Sequence, residues 1–264
     1  MGEILFIGLG LFDEKDITVK GMEEARSCDI LFAEFYTSKL VGASQESVES
    51  LLGKDIHVLG REEVEKGDVI LEAARSKRVG FLIGGDPMTA TTHVDLRLRA
   101  EEGGIPTRIV YGVSILTAAA SLVGLQSYKF GRTTSLPFPQ EKFFPTSPYE
   151  VIHENRMMGL HTLILLDIDE GGKEMDAKEA LGYLLEMEGK ERKMAFTEDT
   201  IVCVISEAGS PEAVARCERV GELMDLDLGK PLHCLIIPAD LHFMEKKALM
   251  AFAGAPDDID EITH

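Results

Sequence analysis

Ile4-Leu5-Phe6-Ile7-Gly8-Leu9-Gly10 opens the chain with an apolar run that ends on two glycines. So short a run, bounded by turn residues, predicts a strand over 4–8. The same texture recurs at 30–34, 56–59, 79–83 and 107–111. Between these runs, apolar residues take helical spacing at Val19/Met22/Ala25, Val48/Leu51/Leu52, 64–74 and Val94/Leu96/Ala100. Strands alternating with helices predict an α/β fold on a parallel or mostly parallel sheet. A helix over 114–125 closes this first series.

The texture then changes. Residues 128–149 hold Pro137, Pro139, Pro145 and Pro148 among Phe138, Phe143, Phe144 and Tyr149. Proline at that density predicts a long ordered loop or a loose edge. Its aromatic residues suit either core packing or the rim of a groove. Alternation resumes with strands at 162–167, 201–206 and 232–237 and helices at 176–188, near 211–224 and at 241–252. Two α/β units joined near the middle are therefore expected, with a frayed acidic tail from Pro256-Asp257-Asp258 onward.

Composition limits the partners. Over 264 residues, 27 basic against 46 acidic side chains give 27 − 46 = −19. A field of that sign disfavours nucleic acid and anionic membranes. The apolar start is too short to span a bilayer and lacks the basic lead of a signal peptide. Cys28, Cys203, Cys217 and Cys234 are scattered, with neither a disulfide framework nor a zinc pattern, so no metal is expected and the cytoplasm is the expected compartment.

Gly8-Leu9-Gly10 has the start of a dinucleotide fingerprint, but Asp13 stands where its third glycine belongs. Glu34, 24 residues past Gly10, lies near the ribose-binding offset. Against pyrophosphate, Asp13, Glu14 and Asp16 crowd this connection, and a second glycine turn, Gly84-Gly85-Asp86-Pro87, again carries an acid. Carboxylates beside glycine turns favour hydroxyl, amine or cationic ligands over phosphates. A positively charged nucleoside such as S-adenosylmethionine fits better than a dinucleotide, with two ordinary surface turns as the competing reading. Other chemistries fail at the sequence. Leu116 replaces the last glycine of a hydrolase elbow at 112–116, and neighbours His233 and Cys234 on a strand point to opposite faces. No phosphate loop or zinc-protease helix is present, and His57 and His93 fit structural or surface roles.

Gly8-Leu9-Gly10-Leu11 with Asp16-Ile17-Thr18, then Ala33-Glu34-Phe35-Tyr36-Thr37-Ser38 and Gly85-Asp86-Pro87 with Ala90-Thr91-Thr92-His93, resemble the diphthine synthase family of the tetrapyrrole methylase superfamily. The resemblance continues through Phe144-Pro145-Thr146-Ser147, Gly159-Leu160-His161-Thr162 and Pro231-Leu232-His233 to Ala253-Gly254-Ala255-Pro256, nearly the whole chain. Gly84 departs from the proline expected before the Gly-Asp-Pro turn.

The resemblance implies a two-domain α/β methyltransferase, usually a homodimer, holding S-adenosylmethionine in a cleft between domains. It implies Leu11, Asp86, Thr89, Ser114, Ile115, Leu166, Ala208 and His233 as cofactor contacts, with Thr89 acting through its backbone. It moves the expected domain boundary from the proline segment to near Gly112, giving domains 1–112 and 113–264. The implied substrate is the amino group of an amino-carboxypropyl histidine on translation elongation factor 2, methylated to diphthine. Methyl transfer from a sulfonium needs positioning more than acid catalysis, so no catalytic residue is expected, and Asp86 suits cofactor orientation better than a base's role. The rivals are a methylase acting on a small corrin-pathway intermediate and a non-catalytic nucleoside- or NAD-binding module.

Overall fold

The computed structural model describes residues 2–36, 38–140, 144–169 and 171–259. It divides into two compact units, Met1–Ile115 and Leu116–His264.

In the first unit, β1 (Glu3–Gly8), β2 (Ile30–Glu34), β3 (Ile56–Val58), β4 (Arg78–Ile83) and β5 (Thr107–Val110) form one sheet in the order β3-β2-β4-β1-β5. Every pairing is parallel. Strand parity explains the unbroken apolar runs. Leu5 and Ile7 join Leu31, Ala33 and Leu82 on one face, packed by α1 (Val19–Ser27) and α2 (Gln45–Leu52). Ile4 and Phe6 join Phe32, Val79, Phe81 and Ile83 on the other face. There they meet α3 (Arg61–Lys66), α4 (Asp68–Ala74) and α5 (His93–Glu102). A sheet covered on both faces needs both parities apolar. The single helix expected over 64–74 is two, broken where Gly67 takes a left-handed φ of 67°.

Neighbouring β1 and β4 send their connections in opposite directions, β1 back toward β2 and β4 forward to β5. Their carboxyl ends thus define a topological switch point, where open α/β sheets take ligands.

α6 (Ile115–Val123) leads into the second unit, whose strands are β6 (Thr134–Leu136), β7 (Thr162–Leu166), β8 (Ile201–Ser206), β9 (Val214–Arg219) and β10 (His233–Ile237). Their order is β6-β7-β10-β8-β9. Only β6 and β7 are parallel; the other pairings are antiparallel, which corrects the expectation of a mostly parallel sheet here. The helix expected near 211–224 is corrected too. β9 pairs with β8 along its whole length, Cys203 opposite Cys217, and only α9 (Val220–Leu223) is helical.

The proline segment also differs from a plain loop. It contributes β6 and the start of α7 (Ser147–Met157), where Pro148 sits in the first turn and needs no intrahelical donor. Tyr149 is core, its hydroxyl donating to Glu188 at 2.6 Å, and Phe144 packs against Tyr183 at 6.4 Å. Phe143 lies outside the described residues, as does Thr37. α8 (Ala177–Glu191) and α10 (Phe243–Ala253) complete the unit. The tail is docked as far as it is described: Ile259 is 0% exposed and Asp258 pairs with Arg219 at 2.6 Å.

A four-donor carboxylate ties this unit together. Glu245, fully buried on α10, accepts from Lys129 Nζ at 2.7 Å and from the Gln126 and His242 amides at 2.9 Å each. His161 Nε2 completes the set at 3.1 Å. The Ala239 amide donates to His161 Nδ1 at 3.0 Å, so Nε2 carries the ring proton and donates to Glu245. Burial alone would raise the Glu245 carboxyl; the hydrogen bonds outweigh it and hold the group at about 2.

Candidate functional site

At the switch point the first-unit turns are stitched by backbone. Gly10 and Gly85 exchange amide-to-carbonyl hydrogen bonds of 3.3 and 2.6 Å, and the Leu9 amide donates to Ile83 at 2.8 Å. The segment after β5 closes in as well. A Cβ on Gly112 would stand 2.2 Å from the Gly85 carbonyl oxygen and 2.9 Å from the Gly8 Cα. Only glycines allow three chain segments to approach this closely. The geometry thus brings Leu11, Asp86, Thr89 and Ser114, on the loops after β1, β4 and β5, and Ile115, at the start of the helix that follows β5, to one end of the sheet.

The loop after β1 bears on the dinucleotide reading. Leu11, Phe12 and Asp13 present consecutive amides, as a phosphate-binding turn would. All three donate to Asp16 Oδ2, at 3.2, 2.6 and 3.4 Å. Asp16 therefore fills the seat a phosphate would need, and Gly10, at φ 86°, makes room for it: a Cβ there would meet Asp16 Cβ at 2.4 Å. The amide of Leu11 is thereby engaged, leaving its side chain and carbonyl for a ligand. Glu34 offers no ribose contact at this mouth, being 0% exposed behind the turn beside His93.

The turn after β4 is built around Asp86. Its Oδ1 accepts from the Met88 amide at 3.1 Å and the Thr89 hydroxyl at 3.0 Å, which spends the Thr89 side chain inside the turn. Ala90, next in line, holds φ at 56°, a left-handed conformation that costs an L residue energy and clusters at functional sites.

The second unit places its three expected residues at one sheet end. Leu166 follows Leu165, the partner of Cys234, and His233 precedes Cys234 and pairs with Ser206. Ala208 lies two residues beyond Ser206, after Glu207, another non-glycine with left-handed φ, 48°. The His233 ring turns inward, Nε2 meeting the Leu228 carbonyl at 3.2 Å, and burial holds its pKa below the ordinary histidine range. Among the described residues, no group of three or more His, Cys, Asp or Glu side chains is arranged to hold a metal.

Sequence reasoning missed the Asp16 seat, the Glu34–His93 contact and the Glu245 hub. The Asp13-x-x-Asp16 spacing, a capping-box pattern, was the one local signal for the first; the structure confirms that box.

Glycine turns at a switch point, a row of amides taken by Asp16 and the carboxylate of Asp86 on the second turn mark this sheet end as the candidate ligand site. The pattern of the family described as Tetrapyrrole (Corrin/Porphyrin) Methylases matches residues 3–222, and the chain belongs to that family. It is a methyltransferase. It is 46% identical over 265 residues to the diphthine synthase of Methanosarcina acetivorans, covering 98% of this chain and 99% of that one. To the diphthine synthase of Methanocella arvoryzae it is 47% identical over 254 residues, covering 95% and 98%. A crystal structure of diphthine synthase superposes with a TM-score of 0.90 at 38% identity, covering 98% of this chain and 99% of that one.

Proposed function

We propose that this chain transfers methyl groups from S-adenosylmethionine to the amino group of the amino-carboxypropyl histidine on translation elongation factor 2, forming diphthine. The observation that carries this reading is near-full-length identity of 46% to a protein named diphthine synthase. The residues suit that donor. Asp16 blocks a phosphate seat, while the carboxylate of Asp86 sits in a glycine turn open to close backbone approach. In this reading Leu11, Asp86, Thr89, Ser114 and Ile115 of the first unit and Leu166, Ala208 and His233 of the second contact the donor. A homodimer in the cytoplasm, free of nucleic acid and membrane, belongs to the same proposal. Among the described residues, no helix is long and apolar enough to cross a membrane.

S-adenosylmethionine supplies a sulfonium-bound methyl whose leaving group is a neutral thioether. The protein therefore needs no general acid. Its task is to hold donor and unprotonated amine in line and exclude water, which can supply roughly 7–11 kcal/mol of the barrier. Asp86, fixed by Met88 and Thr89, is an orienting group in this scheme.

Calorimetric titration tests the donor. The protein is expected to bind S-adenosylmethionine and not NAD, and Asp86→Ala to weaken binding about 10- to 100-fold, the loss of a hydrogen bond to a charged group. Binding of NAD in preference, or unchanged affinity in Asp86→Ala, contradicts the assignment.

A further inference from the structure

Behind the turn at 84–89 lie two buried titratable side chains that the transfer chemistry leaves unused. Glu34 ends β2 and His93 begins α5; they are 0% and 1% exposed, and Glu34 Oε1 lies 3.6 Å from His93 Nε2. On the far side of the ring, His93 Nδ1 stands 3.1 Å from the carbonyl oxygen of Pro87. A carbonyl only accepts, so Nδ1 carries a hydrogen. Nε2 then faces a carboxylate oxygen. Nε2 is left buried without a hydrogen-bond partner, and Glu34 Oε1, 3.6 Å away, is the charged group that faces it. Burial draws the His93 ring below the ordinary histidine range, while Glu34 and the Pro87 carbonyl draw it back up.

The surroundings hold the pair in place. Phe81 packs edge-on against the imidazole at 5.1 Å, and Glu34 Oε2 accepts from the Tyr36 amide at 3.0 Å. The Pro87 carbonyl also accepts from the Thr91 hydroxyl at 3.1 Å. Two donors thus grip the carbonyl directly after Asp86, and the strained Ala90 lies between Thr89 and Thr91. A left-handed alanine persists only where its neighbours over-determine it.

We propose that Glu34 and His93 are positioning residues of the methyl-donor site: Glu34, facing Nε2, keeps the ring turned so that Nδ1 donates to Pro87, which sets the Asp86–Thr89 turn in its receiving geometry. This rests on the reading of that turn as the donor site.

The test compares S-adenosylmethionine affinity and thermal midpoint for the wild type, His93→Phe, Glu34→Ala and Glu34→Gln. His93→Phe and Glu34→Ala are expected to bind about tenfold more weakly, the loss of one buried hydrogen bond. Glu34→Gln keeps an N–H toward Nε2 and an acceptor for Tyr36, and is expected to recover affinity to within about threefold of the wild type. A purely structural role predicts lowered midpoints at wild-type affinity, and that result overturns the proposal. So does Glu34→Gln binding no better than Glu34→Ala. Should Glu34→Ala fail to fold, His93→Phe and Glu34→Gln decide: weak against near-normal supports the proposal, and both at wild-type affinity overturns it. A wild type that binds no S-adenosylmethionine overturns the donor reading itself, and this assignment with it.

Discussion

Glu245→Ala is expected to lower the stability of the second unit by about 3–5 kcal/mol, because it leaves Lys129 and His161 facing a hole where a buried carboxylate stood. For a unit of this size that is a fall in thermal midpoint on the order of 10 °C, read by scanning calorimetry. The pH dependence has a definite sign. Glu245 is held at about 2, against 4.5 ordinarily. Its stabilisation is therefore complete above about pH 4.5 and is lost as the pH falls toward about 2. His161 acts in the same direction: burial lowers its pKa from 6.5, so the unfolded chain takes up that proton first on acidification. Wild-type stability should thus decline from near pH 6.5 and steepen below about 4.5, and Glu245→Ala should lose the steeper limb. An unchanged midpoint in Glu245→Ala, or an acid limb identical to the wild type, would contradict the network's role.

Gly112→Ala is expected to damage ligand binding more than any side-chain removal. The added Cβ would stand 2.2 Å from the Gly85 carbonyl oxygen and 2.9 Å from the Gly8 Cα, and all of these are backbone atoms with no rotamer to yield. The three segments must spread. Overpacking of that kind costs about 2–3 kcal/mol, which in binding is on the order of a hundredfold loss for S-adenosylmethionine. Gly182→Ala is the control. It lies inside α8, an added Cβ meets nothing within 4 Å, and it should stabilise by about 0.5–1 kcal/mol without changing affinity. Equal affinities in the two variants would mean that the glycine junction does not hold the donor.

What the chain reveals locally and what it hides follow from physics. The central strands β1, β2 and β4 were legible because burial on both faces leaves near-unbroken apolar runs, and the ends of all five strands match to within a residue or so. The second unit was less so. Val214, Cys217, Val220 and Leu223 recur at intervals of three, which suits a helix, yet β8 supplies the hydrogen bonds that make 214–219 a strand. Strand direction leaves no mark on an apolar run, so the antiparallel pairings were invisible. α7 was masked by the prolines around it, although Pro148 occupies the first turn, where a proline is tolerated.

At the site, the acidic loop after β1 argued against pyrophosphate by repulsion, and the structure adds a more specific feature: Asp16 takes the amides itself. Glu34 matched a ribose-binding offset in number only. Its partner His93 lies 59 positions further along, and only the packing of α5 behind β2 and β4 shows that the carboxylate is turned away from the mouth.

The most direct measurement is the intact mass of elongation factor 2 carrying the amino-carboxypropyl histidine, after incubation with this protein and S-adenosylmethionine. A gain in whole methyl increments, absent when that histidine is replaced, is the predicted result, and the number of increments counts the transfers. No gain from a protein that calorimetry finds saturated with the donor would contradict the proposed acceptor and move the reaction to a small molecule.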